Sequence, residues 1–317
     1  MTNRHRVALL RGDGIGPIVI DEALRWLHAV DAPIEFVPAP FGYQTWLDAG
    51  DALPPSTASL LRETGIALLG AATTPETGCS SPILHLRREL GLDLLVRPAA
   101  GITIVAHAFE GLYFAPEHDP PRWVVTEAGA TRVLAEGFRR AKRRVTFVDK
   151  PTVLRHHAAL YRRIGTTLAR PGIAFEVVNA DAFVASLWRD PSTYDVVCAT
   201  SFVGDVLSDI TAAIDGGVGT APSLSLGPNC AVFEPVHGSA PRRAAEFPPT
   251  VDPRGAIRAA AMLLEHLGED QRAARLRAAV AITPFPPGMI TRAYGDAGIP
   301  TVLKSSGQSG KNHGQSA

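Results

Sequence analysis

The chain has little cysteine: Cys79, Cys198 and Cys230 are its only three in 317 residues. They are scattered and odd in number, which argues against a disulfide framework or a paired-cysteine metal site and fits a reducing cytoplasm. Net charge is also lacking, since 31 basic residues balance 31 acidic ones. Without a basic excess, neither nucleic acid nor an anionic membrane is indicated as a partner. No apolar run reaches the roughly 18–20 residues of a membrane span. No signal-peptide core is expected ahead of Val7-Ala8-Leu9-Leu10, where the chain enters a strand. No internal repeat is visible. What is present is ordinary for a soluble globular protein, with 46% hydrophobic and 20% charged residues. The length suits one large or two medium domains.

Short apolar runs alternate with longer helical patterns. Residues 7–10, 67–70, 145–148, 175–178 and 196–199 read as buried strands. Residues 18–30, 82–92, 131–142, 152–168 and 253–267 read as helices. The alternation predicts an α/β fold with a substantial parallel sheet. Residues 216–228 are rich in Gly, Ser and Pro and read as loops. The polar stretch 304–317 has no apolar period and reads as a disordered tail.

One segment carries more chemistry than the rest: Ser201-Phe202-Val203-Gly204-Asp205-Val206-Leu207-Ser208-Asp209. In a helix starting near Phe202, the i, i+4 spacing puts Asp205 and Asp209 on one face. Two hard oxygen ligands with open positions left over suit Mg²⁺ or Mn²⁺ bound together with a substrate. The same spacing also fits a plain acidic first turn favoured by the helix dipole. Upstream, Gly12-Asp13-Gly14-Ile15-Gly16-Pro17 follows a strand and precedes a helix. Such a turn can hold an anion at the helix N-terminus, or can simply be tight, with Pro17 in the first helical turn. It is not the dinucleotide fingerprint, because the third glycine spacing fails.

Arg87 lies in a helical stretch and Arg97 follows ten residues later, so the two forks can clamp a dicarboxylate. Lys150 follows a strand, where ligands bind in α/β sheets and where a lysine can serve as a base. Glu234-Pro235-Val236-His237-Gly238-Ser239-Ala240-Pro241 is a small-residue loop that a flat ligand can approach closely.

In this order, these motifs resemble the β-decarboxylating dehydrogenases, the family of isopropylmalate, isocitrate, homoisocitrate and tartrate dehydrogenases. The matching pieces also include Leu112-Tyr113-Phe114, Val148-Asp149-Lys150 and Pro222-Ser223-Leu224-Ser225-Leu226-Gly227. Together they span nearly all of residues 6–267.

The resemblance implies an isopropylmalate/isocitrate dehydrogenase-like two-domain α/β fold with a mostly parallel sheet core. Residues 1–92 and 217–303 would form the nucleotide-binding domain, and 93–216 a smaller domain with the dimer interface. It implies a cytoplasmic homodimer with shared active sites, acting on a small hydroxy-dicarboxylic acid with Mg²⁺ or Mn²⁺ and NAD or NADP. The metal ligands would be Asp205 and Asp209, joined by Asp181 of the other subunit. Lys150, also donated across the interface, would take the proton from the C2 hydroxyl as hydride leaves for nicotinamide. The cation would polarise the ketone and stabilise the enolate left after CO₂ departs. Tyr113 would then deliver a proton to C3.

Arg87, Arg97, Tyr113 and Ser81 would contact the acid. Thr73, Thr74, His237, Gly238, Ser239, Ala240, Arg242 and Arg243 would line the cofactor site. NAD users place an aspartate after the Gly-Ser-Ala-Pro loop, whereas Arg242 and Arg243 stand here and favour NADP for its 2′-phosphate. Ile83 and Leu84 look like an isopropylmalate enzyme, while Thr73-Thr74-Pro75 and Ser81 look like an isocitrate enzyme. A third family arginine is replaced by Ala106, with His107 beside it as a substitute or a structural histidine. That change removes a contact worth roughly 1.5–3 kcal/mol. Thr152 replaces a family asparagine near nicotinamide, and the C-terminal Gly-rich segment is shortened to 283–288. These departures keep two further readings open: a tartrate-like or specialised-metabolite dehydrogenase, and a non-catalytic regulatory paralogue.

Overall fold

The structure is a computed structural model and describes residues 4–76, 78–115, 122–246 and 251–283. Strand β1 (His5–Leu10) leads into α1 (Gly16–Ala29), with Pro17 in its first turn, where a missing N–H is tolerated. Next come β2 (Ile34–Pro38), α2 (Tyr43–Ala49), α3 (Pro55–Thr64) and β3 (Ile66–Leu69). Helix α4 (Pro82–Glu89) is capped by the Ser81 hydroxyl, which accepts from the Leu84 N–H. β4 (Leu94–Ala99) and β5 (Ile102–His107) form a hairpin, and β6 (Gly111–Ala115) pairs with β7 (Arg122–Val124) as a separate two-stranded arm. Thr126 caps α5 (Glu127–Arg140). Then follow β8 (Arg144–Asp149), α6 (Arg155–Leu168), β9 (Ala174–Asn179) and α7 (Ala180–Arg189). The remaining elements are β10 (Val196–Ala199), α8 (Ser201–Ile214), β11 (Pro222–Leu226), β12 (Ala231–Pro235), α9 (Pro241–Ala244), α10 (Arg254–His266) and α11 (Asp270–Ile282).

Ten strands make one sheet in the order β2-β1-β3-β12-β11-β4-β5-β10-β8-β9. The fold is α/β with a mostly parallel sheet, as the alternation predicts. The departures are central: β11 runs antiparallel to β12 and β4, and β4 antiparallel to β5. The two parallel halves, β2-β1-β3-β12 and β5-β10-β8-β9, therefore point in opposite directions. Their C-terminal ends open on opposite edges of the sheet.

Period-two alternation sends successive side chains to opposite faces. Val7 and Leu9 join the core on one face, with Trp26, Phe147, Tyr161 and the alanine-rich α10. Ala8 and Leu10 face the other way, toward Leu61 and Leu86. On that second face, α8 and α7, the latter through Phe183 and Leu187, cover Ile104, Ala106 and Val197.

Several boundaries differ from the sequence reading. Residues 222–226 are a strand, not loop. Pro222 opens it, where a lost donor is tolerated, and Ser-Leu-Ser-Leu supplies the strand period. α6 begins at Arg155 because residues 151–153 form a turn, and α5 begins earlier than expected, at Glu127. The expected tail 304–317 lies outside the described residues. No described helix is long and apolar enough to cross a membrane.

Candidate active site

Thr200 follows β10 in extended geometry, and α8 starts at the next residue, so Asp205 and Asp209 share a helix face as the spacing predicts. The Asp205 carboxylate is the hub of a polar cluster. Its Oδ1 accepts from Arg97 Nη1 at 2.9 Å, and its Oδ2 from the Tyr113 hydroxyl at 3.2 Å. Arg97 reaches down from β4 and also donates to Ser208 Oγ at 2.7 Å. Burial raises the Tyr113 pKa, and the Asp205 charge raises it further, so the phenol holds its proton. Burial likewise raises the pKa of Asp209, reinforced by the neighbouring Asp205. Two carboxylates on one rigid face, one of them raised by burial and by its neighbour's charge, fit a divalent cation.

Arg87 projects from the last turn of α4 into the same side of the sheet. Its Nη2 donates to Glu234 Oε1 at 3.0 Å and its Nε to Ser225 Oγ at 3.1 Å. Both side chains are nearly buried, at 11% and 8% exposure. Burial lowers the Arg87 pKa, and Glu234 opposes that shift. A cleft of about 120 Å³ lies between Ile83, Arg87, Arg97, Ser223, Glu234 and His237. The two expected acid-binding guanidinium groups thus line one cleft.

The cofactor-side loops interlock. Gly14 has φ +57°, and a Cβ there would lie 2.2 Å from the Ser239 carbonyl oxygen. That close approach is the main use of the glycine turn; it packs against the 237–240 loop. The buried Asp13 carboxylate accepts from the backbone N–H groups of Tyr43, Gln44 and Thr73. Thr73 Oγ1 lies 2.7 Å from Ser239 Oγ, and Thr74 Oγ1 3.1 Å from Ser81 Oγ. Gly238 has open space where a Cβ would stand. Beside it, His237 is held by the Gly238 carbonyl at 3.0 Å, its pKa lowered by burial, and its buried Nε2 has no partner. An open glycine beside an unsatisfied imidazole nitrogen fits a flat polar ring such as a nicotinamide nucleotide's. Ala240 adopts φ +39° before Pro241 and the short α9. Arg242 and Arg243 are exposed there, and neither forms an ion pair among the described residues.

Lys150 and Asp181 stand apart from the 237–240 loop. They form an ion pair at 2.8 Å that lowers the Asp181 pKa, the Lys150 hydrogen bond being the largest cause. They lie at the C-terminal ends of β8 and β9, in the half of the sheet that opens away from the 237–240 loop. Among the described residues no three His, Cys, Asp or Glu side chains come together to hold a metal. Thr152 Oγ1 bonds Asn179 Oδ1 at 3.1 Å.

His107 is not a stand-in for the missing arginine. Strand alternation points it to the opposite face from Ala106, where Nε2 meets the Tyr161 hydroxyl at 3.2 Å. Desolvation lowers its pKa to about 3, so it is a neutral core histidine. Ala106 sits under Gly204, close enough that a Cβ on that glycine would lie 2.2 Å from the alanine Cβ.

Glu234 and Ser223 line the cleft, Ser225 and Ser208 hold its two arginines, and Asp13 ties the adjoining loops, although the sequence reading names none of the five as a site residue. The Ser-Leu-Ser-Leu alternation at 223–226 was the available signal, since it puts both serines on one strand face.

A family profile described as isocitrate/isopropylmalate dehydrogenase matches residues 6–292. The isocitrate/homoisocitrate dehydrogenase of Thermus thermophilus is 34% identical, over 87% of this chain and 90% of that protein. The 3-isopropylmalate dehydrogenase of Frankia casuarinae is 35% identical, over 87% and 91%. Among solved structures, isocitrate dehydrogenase from Methylococcus capsulatus superposes with a TM-score of 0.83 at 29% identity, covering 95% of this chain and all of that one. A β-decarboxylating dehydrogenase from Thermococcus kodakarensis gives 0.83 at 32% identity, covering 98% and 100%. The chain has the isocitrate/isopropylmalate dehydrogenase-like fold and belongs to the isocitrate/isopropylmalate dehydrogenase family.

Proposed function

We propose that this oxidoreductase oxidatively decarboxylates a 3-substituted malate, using Mg²⁺ or Mn²⁺ and NAD(P), with NADP preferred. The observation that supports this most is the convergence of Arg97, Tyr113 and Asp205 beside the cleft that Arg87 lines. Arg87 and Arg97 hold the acid's carboxylates by charge-assisted hydrogen bonds. Asp205 and Asp209, with Asp181 from a second copy, would hold the cation; the 237–240 loop with Thr73 and Thr74 would hold the nucleotide. When bound, the cation supplies polarisation of the C2 oxygen and the nucleotide supplies a hydride acceptor. Lys150 of that second copy would accept the C2 hydroxyl proton as the neutral amine, after its ammonium has released a proton to solvent. Tyr113, whose phenol is kept protonated, donates to C3. Ser81 orients the far end of the acid.

Asp181 does not gather with Asp205 and Asp209 of its own chain into a metal-holding group among the described residues, which supports a ligand donated by a second copy. We assign residues 1–92 with 217–303 to one domain and 93–216 to the other, and place the homodimer in the cytoplasm on its cysteine usage. Ala106 favours a second reading, a tartrate-like acid that needs one carboxylate contact fewer.

The test is a turnover screen with Mg²⁺. Isopropylmalate, isocitrate, homoisocitrate, tartrate and malate are each offered with NAD⁺ and NADP⁺. Reduced nicotinamide formed together with CO₂ supports the main reading. Reduced nicotinamide without CO₂ favours the second reading. Ligand binding without any turnover contradicts both.

A further inference from the structure

Beneath Lys150 the fold gathers polar atoms that the proposed chemistry does not use. Asp149 ends β8 with its carboxylate 1% exposed, and its Oδ2 has no hydrogen-bond partner among the described residues. His157, in the first turn of α6, brings Nδ1 to 3.9 Å from that oxygen, and this nitrogen is also buried without a partner. The Trp123 ring lies 6.3 Å from the His157 ring, and its indole N–H is unsatisfied. Thr200 follows Ala199, which pairs with Val148, so it stands beside Asp149 across the ladder; its hydroxyl is buried and unsatisfied too.

Four such atoms from four elements are unusual, because buried polar groups are nearly always paired. Their chemistry is complementary. Asp149 Oδ2 only accepts, the Trp123 indole only donates, and the imidazole nitrogen and threonine hydroxyl can do either. A separation of 3.9 Å is too long for a direct bond, and a water seated to one side of the pair can reach both atoms.

We propose that His157, Asp149, Thr200 and Trp123 enclose an ordered water, and that His157 acts through it as a positioning residue for Lys150. Asp149 also accepts the backbone N–H of Lys150, so fixing its carboxylate fixes the start of the Lys150 turn. Trp123 lies on β7, the partner strand of β6, which carries Tyr113. The water therefore ties the arm bearing the proposed C3 proton donor to the strand end bearing the proposed base. The positioning role rests on the function proposed above; the water site does not.

The test has two parts. A high-resolution crystal structure of the unaltered protein is expected to show a water bonded to at least three of the four atoms. A dry site, or four side chains closed directly on one another, overturns the proposal. Second, amide hydrogen exchange of residues 149–153 is compared in the unaltered chain, His157→Asn and His157→Leu. Asparagine keeps a polar atom at the Nδ1 position and leucine does not. The leucine variant is expected to exchange about tenfold faster, equivalent to about 1.4 kcal/mol of lost protection, while asparagine restores the original rate. Equal exchange in both variants, fast or slow, overturns the positioning role. In turnover, kcat falls with leucine while the acid's KM holds; a change in KM alone contradicts the assignment. Failure of the whole reaction leaves the water and exchange results to decide. If a variant does not fold, the crystal structure decides.

Discussion

Arg97 and Asp205 are ion-paired at 2.9 Å, and this contact joins a guanidinium proposed to bind the acid to a carboxylate proposed to bind the metal. Arg97 is only 13% exposed, whereas Asp205 is 42% exposed. The arginine is thus held by the fold, and the carboxylate keeps a solvent-facing side, where the proposed cation would sit.

Arg97→Gln is expected to raise the acid's KM by about 10- to 150-fold, the loss of one charge-assisted contact of about 1.5–3 kcal/mol. Steady-state kinetics at saturating Mg²⁺ checks this. A KM within twofold of the original would remove Arg97 from the acid site.

Tyr113→Phe keeps the ring packed at 6.3 Å against Phe202 and deletes the hydroxyl on Asp205. The loss expected is about 10²- to 10⁴-fold in kcat, typical of a proton-transfer group, with little change in KM. Full kcat in the phenylalanine variant contradicts the assignment.

His107 shows itself in stability rather than in turnover. Burial holds its pKa at about 3 against an ordinary 6.5. Between those two values the unfolded chain binds a proton that the folded chain refuses. Stability contributed by the neutral imidazole is therefore present above pH 6.5 and lost as pH falls toward 3. The slope is at most about 1.4 kcal/mol per pH unit. His107→Gln retains a partner for Tyr161 without titrating. Its melting temperature should fall less steeply over this window, as a pH series of thermal melts will show. Parallel slopes would contradict the buried neutral state.

Arg242→Asp tests the coenzyme preference. Both arginines of α9 are exposed and unpaired among the described residues, which leaves them available to a 2′-phosphate. The variant should raise the KM for NADP⁺ about tenfold and leave that for NAD⁺ nearly unchanged. An unchanged preference removes the reason for favouring NADP.

The half of the fold built from α/β units was legible because buried parallel strands are short continuous apolar runs, as at residues 145–148 and 196–199. The centre of the sheet was not. Arg97 and Pro98 interrupt β4, and the serines of β11 look like loop residues until their alternation is noticed. The Asp205/Asp209 face followed from helical spacing alone. Glu234 did not, because its role is to neutralise Arg87 from 147 positions away in sequence, a distance no local pattern spans. His107 was ambiguous for a related reason: only the strand's phase decides whether it or Ala106 faces α8.

The most direct measurement mixes two disabled chains, Lys150→Met and Asp205→Asn. Each alone should be inactive. If Lys150 of one copy serves Asp205 of the other, a hybrid dimer regains one intact site of its two. Random reassortment of equal amounts then restores about one quarter of the original activity. A mixture as inactive as its components, beside unaltered protein that survives the same treatment, would contradict the shared metal-dependent site.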